Sequence, residues 1–130
     1  MRVPVALYGV LLCACLVSTL LAQDAAKVDP KHYTVISENA QVRILKVHYG
    51  PREKSVMHSH PASVAVFLTD GNGVFTYSDG KKENFAIKAG DAQYERSATH
   101  LPENLSDKGM DVIVVELKGN AATTAKGAMK

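Results

Sequence analysis

The sequence predicts an all-β domain, a sandwich or closed barrel. Two observations carry that expectation. Short apolar runs, β-branched or aromatic in part, recur at 33–37, 42–49, 55–60, 63–69, 74–77, 83–87, 92–96 and 111–117, with no helical period between them. Between them stand turn sequences: Gly50-Pro51, Asp70-Gly71-Asn72-Gly73, Ser78-Asp79-Gly80 and Lys88-Ala89-Gly90-Asp91. Gly, Asn and Asp accept positive φ at low cost and Pro fixes φ, so each of these can reverse the chain. Many short strands at this spacing suit a sandwich or barrel better than a sheet with crossover helices.

The flanks are different. Met1-Arg2 is a short positive start, 3–22 is almost wholly apolar, and Gln23-Asp24 turns polar. This reads as a secretory signal peptide over 1–22, cleaved after the small residue Ala22. The competing reading is an uncleaved anchor, since some twenty apolar residues can span a bilayer; a lipoprotein signal around Cys15 fits poorly. The protein is therefore expected to be exported, periplasmic or secreted, with membrane contact only if that segment stays in place. Residues 23–32 read as a polar N-terminal arm, 33–118 as the barrel, and 119–130, small and basic, as a disordered tail.

Both cysteines, Cys13 and Cys15, fall in the leader. The remainder has no disulfide, no thiol nucleophile and no thiolate ligand, so a metal site must come from His, Asp or Glu. A length of 130 residues suits one folded domain. The net charge of +2, without a basic run, and the lack of Trp argue against nucleic acid as a partner.

Chemistry concentrates in Met57-His58-Ser59-His60. Side chains two apart on a strand share a face, so His58 and His60 can hold one ion together. Alone, His-x-His is a weak signal. Here it follows a Gly-Pro turn, precedes Pro61 and an apolar strand ending at Gly71, and is answered downstream by His100 and Asn104. In these features the stretch from about 42 to 117 resembles the cupin family. That family's first motif runs Gly, five residues, His-x-His, three or four residues, Glu, six residues, Gly; its second ends in His, three residues, Asn. His58, His60 and Gly71 match the first, His100 and Asn104 the second, and Gly90-Asp91 resembles the turn that opens the second.

The resemblance implies a double-stranded β-helix, a jelly-roll-type barrel, holding one divalent transition metal on His58, His60 and His100. The chain departs from the pattern at Arg52, where the motif has Gly, at Arg96 and Ser97, where it has Pro and Gly, and at Val64, which aligns with the metal-binding Glu. Val64 is expected to point inward beside the ion. Three neutral imidazoles suit Fe, Zn, Ni or Cu, with Mn also open and Fe or Zn favoured. They leave coordination positions for water or substrate.

Two functions follow. One is a metal-dependent, dioxygenase-type oxidoreductase acting on a small anionic substrate; the other is a module that binds a metal or small ligand without turnover. Glu95 and Gln93, on one face of a strand with Tyr94 on the other, are the candidate acid–base groups. His48 reads as a strand-face residue, His32 as a solvated residue of the arm, Lys81-Lys82 as a solvated tip, and Asn104-Leu105-Ser106 as a barrel element despite its match to a glycosylation acceptor. A homodimer is the expected assembly.

Overall fold

The computed structural model describes residues 23–119; the expected leader and nearly all of the expected tail lie outside the described residues. A short helix, α1 (Ala25–Val28), precedes nine strands: β1 (Tyr33–Glu38), β2 (Val42–Tyr49), β3 (His58–His60), β4 (Ser63–Phe67), β5 (Gly71–Tyr77), β6 (Lys82–Ile87), β7 (Ala92–Glu95), β8 (Ala98–Asn104) and β9 (Met110–Leu117). All pairings between strands are antiparallel and they nest: β5 with β6, β4 with β7, β3 with β8, β2 with β9. Alternate pairs fall in different sheets. One sheet has the order β1-β2-β9-β4-β7 and the other β3-β8-β5-β6. This is the wound hairpin of a jelly roll, and the all-β expectation is met. Among the described residues no helix is long and apolar enough to cross a membrane.

Alternation decides what each strand turns inward. Leu45 and Val47 on β2, Ala65 and Phe67 on β4, and Met110 and Val112 on β9 are buried, with Tyr33, Tyr49 and Ile87, in one apolar cluster. The register of the larger sheet sets Arg43, Glu116, Ser63 and Glu95 side by side on this inner face. The outer face carries a parallel row of Ile44, Val115, Val64 and Tyr94.

Three elements differ from the sequence reading. The strand expected over 55–60 shrinks to its last three residues, because Lys54 and Ser55 lie along β8 in a loop. The turn expected over 70–73 is instead the start of β5. There Gly73 answers to packing: a Cβ at that position would stand 2.3 Å from the Glu103 carbonyl oxygen and 2.4 Å from the Phe85 ring. β8 itself was not expected, because Pro102 sits inside it. A proline without N–H is tolerated where a strand lacks a full neighbour, and β3 pairs only with residues 98–100 of β8.

Arg52 has φ of 60°, the one non-glycine residue with positive φ among those described. It occupies the position where the cupin motif has Gly, the residue best suited to that backbone conformation. Its side chain makes only an exposed ion pair, at 2.9 Å to Asp107, which contributes little. Arg52→Gly is expected to raise stability by about 0.5–1 kcal/mol, read as a higher urea midpoint at unchanged slope. A lowered midpoint would count against strain at this turn.

Candidate metal centre

β3 presents His58 and His60 on one face, and β8 sets His100 directly opposite His58. The three rings lie 4.7, 5.2 and 5.4 Å apart by centroid. One nitrogen from each falls within 4.8 Å of the others. His58 is fully buried. Phe75 stacks on His100 at 4.8 Å with planes 2° apart, and Phe85 stacks on Phe75 in turn. The expected convergence of the three histidines is therefore met.

Hydrogen bonding settles which nitrogens face the centre. His58 Nδ1 stands 2.8 Å from the Val56 carbonyl oxygen, so Nδ1–H donates to it. His60 Nδ1 stands 2.9 Å from Glu116 Oε1 and donates to that carboxylate. With Nδ1 protonated, a neutral ring carries its lone pair on Nε2. The two Nε2 atoms are 3.0 Å apart. Two lone pairs at that distance repel unless a positive charge, a proton or a metal ion, lies between them. Burial, and next the neighbouring His60, lowers the His58 imidazole to about 4. Burial, and next His60 and His58, lowers His100 to about 3. These two rings are therefore neutral near pH 7, the form that coordinates a metal.

The surrounding groups hold these ligands. Glu116, only 2% exposed, receives His60 on one oxygen and Arg43 Nε at 2.6 Å on the other. Arg43 reaches on to Asp24 at 2.6 and 3.1 Å. A carboxylate behind a ligating histidine fixes its tautomer and raises its basicity. Sequence reasoning missed Glu116 and Arg43. The available signal was an acidic residue two positions beyond Val114, continuing the inward-facing alternation of Met110, Val112 and Val114.

The expected role of Val64 is corrected. Ser63 and Ala65 are the buried, cavity-facing residues of β4, and Val64 lies between them on the outer face. With four intervening residues in place of three, the motif's Glu position falls on inward-facing Ala65. No carboxylate comes from either residue, so the ligand set stays at three histidines.

The expected alternation on β7 holds in part. Glu95 lines the cavity, and burial, then Glu83, raises its carboxyl above the usual range. Gln93 is exposed and does not line it. Tyr94, expected to be excluded if Glu95 faced in, also touches the cavity mouth, because β7 is an edge strand ending there. His32, expected to be solvated, is buried: Nδ1 lies 2.7 Å from Asp29, Nε2 lies 3.1 Å from Glu53, and the ring stacks on Tyr49 at 4.5 Å. His48 is on the strand face as expected, beside Asp111 at 2.8 Å, and Lys81 is exposed. Asn104 is wholly buried; its Nδ2 donates to the carbonyls of Gly50 and Lys108, and its Oδ1 accepts from the Ser106 amide.

A cavity of about 410 Å³ opens beside His60 and His100. Its walls include Ala65, Phe75, Phe85 and Val114, with Glu95 at one side. That volume suits one small ligand. The donor set fits a divalent transition metal: three imidazoles, two with Nδ1 committed elsewhere, and no competing hard oxygen cage.

A family model of the cupin domain matches residues 45–116. Among curated proteins no sequence matches this chain. Solved structures do. A cupin domain from Bordetella pertussis Tohama I superposes with a TM-score of 0.62 at 21% identity, over 67% of this chain and 92% of that one. A protein with a double-stranded β-helix domain from Klebsiella pneumoniae gives 0.55 at 21% identity, over 68% and 77%. A cupin-family protein from Methanocaldococcus jannaschii gives 0.53 at 16% identity, over 66% and 78%. At these identities the likeness speaks for the fold. The family match spans more than half of the sequence, the nested β-pairing is that of the same fold, and the chain belongs to the cupin family.

Proposed function

We propose that this cupin binds one divalent transition metal ion through His58, His60 and His100, and uses it in dioxygenase-type oxidation of a small anionic substrate. The observation that carries the metal reading is the pair of facing Nε2 atoms at 3.0 Å, each ring held by a bond from its Nδ1. When bound, such an ion supplies Lewis-acid and redox chemistry at positions the three imidazoles leave free. The chain's own part is to keep the ligands neutral, to exclude water with Phe75 and Phe85, and to place Glu95 at the cavity wall. Glu95, its carboxyl raised above the usual range by burial and then by Glu83, is the candidate acid–base group at that wall. Elemental analysis of untagged protein tests the reading, with one metal per chain expected. Loss of metal in His100→Ala supports it, and a metal-free wild type after loading with Fe, Zn, Ni, Cu and Mn overturns it.

A second reading, a module that binds metal or ligand without turnover, is favoured by one observation: among the described residues Glu95 is the only carboxylate lining this cavity. Oxygen consumption by metal-loaded protein with small carboxylate substrates separates the two.

We also propose export with cleavage after Ala22, supported by the apolar 3–22 run and the confinement of cysteine to it. N-terminal sequencing should find Gln23. The proposed assembly is a homodimer through the outer face of the larger sheet, where Ile44, Val115, Val64 and Tyr94 form an apolar row across four strands and Tyr94 is 61% exposed. An antiparallel sheet normally turns polar residues to water on such a face, and a second copy offers the same apolar row in return. Val64→Glu is then expected to give a monomer by sedimentation while metal affinity stays within about threefold. Altered metal affinity in a folded Val64→Glu chain would place residue 64 at the ion after all.

A further inference from the structure

We propose that the N-terminal segment Gln23–His32 is a positioning element of the metal centre, bracing His58 and His60 through two separate hydrogen-bonded chains. The inference rests on the metal reading above. Polar composition marks this segment as a solvated arm, yet Ala25 is wholly buried and packs into the core. Gln23 is tied down as well: its carbonyl accepts the Ser59 amide at 2.7 Å, between the two ligands of β3.

The first chain begins at Asp29. Ser55 Oγ donates to Asp29 Oδ2 at 2.5 Å. With its proton so directed, that hydroxyl offers a lone pair to His58 Nδ1, 3.1 Å away. The Nδ1–H is thus shared between Ser55 and the Val56 carbonyl, and Nε2 is left to face the centre. Asp29 is itself fixed by His32, whose far nitrogen meets Glu53, and Glu53 receives Lys31 Nζ at 2.6 Å. The second chain begins at Asp24, which caps α1 by accepting the Ala26 amide. Its carboxylate pairs with Arg43, Arg43 with Glu116, and Glu116 with His60 Nδ1.

Two ligands on one short strand are therefore oriented from two carboxylates five residues apart on one segment outside the family-matched region, which begins at residue 45. The helix between them sets the carboxylates' spacing. Asp24, Asp29 and Ser55 do not line the cavity beside the histidines and do not belong to the ligating group; they act through other residues.

The test compares wild type with Asp24→Ala, Asp29→Asn and Ser55→Ala. Zinc affinity is measured by competitive chelation, and the His58 and His60 Nδ1–H signals by NMR on metal-free protein. Expected are zinc affinities lowered about 10-fold or more in Asp24→Ala and Ser55→Ala. Asp29→Asn, which keeps an acceptor for Ser55, should fall between these and wild type. In the metal-free protein the His58 Nδ1–H signal should broaden or vanish in Ser55→Ala alone, and that of His60 in Asp24→Ala alone. Folded variants with zinc affinity within threefold of wild type and both signals intact overturn the brace. A wild type that binds no metal defeats the metal reading instead, and the NMR comparison still decides whether the segment orients the rings. Should Asp24→Ala fail to fold, Arg43→Lys interrupts the same chain, with the same His60 signal and zinc affinity expected to fall.

Discussion

Glu116→Ala is expected to cost about 3–5 kcal/mol of stability and to weaken divalent metal binding about 10–100-fold. Both effects come from one carboxylate. It is buried against two positive or proton-donating partners, Arg43 and the Nδ1–H of His60. Truncation leaves the Arg43 guanidinium, itself largely buried, with Asp24 as its remaining partner. It also frees the His60 ring to rotate or change tautomer, so that Nε2 no longer faces His58 as an acceptor. Glu116→Gln separates the two consequences. The amide keeps the volume and can still accept from His60 through its oxygen, but it turns N–H groups towards Arg43. It should therefore retain more metal affinity than stability. Urea unfolding gives the first quantity and competitive chelation the second. A Glu116→Ala chain that unfolds within about 1 kcal/mol of wild type would show that water replaces the carboxylate at no cost, and the buried pairing would have little structural weight.

The ligands were legible in the sequence, and their supports were not. His58 and His60 announce themselves because strand alternation acts over two residues, and His100 because a motif ties it to them. Glu116 meets His60 only through the pairing of β9 with β4 and β2, a register that no local pattern states. Asp29 meets Ser55 across a chain reversal, so its polar neighbours Pro30, Lys31 and His32 read as solvated. Val64 shows the same limit in reverse. A spacing of three or four residues leaves the face of the strand open, and one residue of slip exchanges inside for outside. Fold class survived these errors because it rests on many runs and turns at once. The omission of β8 did not disturb it, although Pro102 hid the strand that carries His100.

The other large effect expected is the response of stability to metal and to acid. With free metal at about a thousand times its dissociation constant, binding to the native state adds about 4 kcal/mol. For a domain of this size that raises the thermal midpoint by roughly 15–30 °C. The pH dependence of the metal-free chain follows from His58 at about 4 and His100 at about 3, both below the ordinary value of about 6.5 for an unfolded chain. As pH falls through 6.5 the unfolded chain takes up protons that the native chain refuses, so native stability declines. The decline continues until the native rings themselves protonate, near pH 4 and then pH 3. With screening and the mutual coupling of the two rings allowed for, each contributes on the order of 1–3 kcal/mol. Metal should oppose this loss. At two of the three ligands, His58 and His100, protons compete with the metal only well below pH 5, so part of the increment in midpoint should remain at pH 5, where the metal-free chain is already weakened. His100→Ala removes one ligand and one buried ring. It should lose most of the metal increment and show a shallower acid decline than wild type. Calorimetry of both chains at pH 5 and pH 7.5, with and without zinc, makes the comparison. Equal metal increments in the two chains would remove His100 from the centre, and a metal-free stability that rises on acidification would mean that the buried rings are charged in the native state.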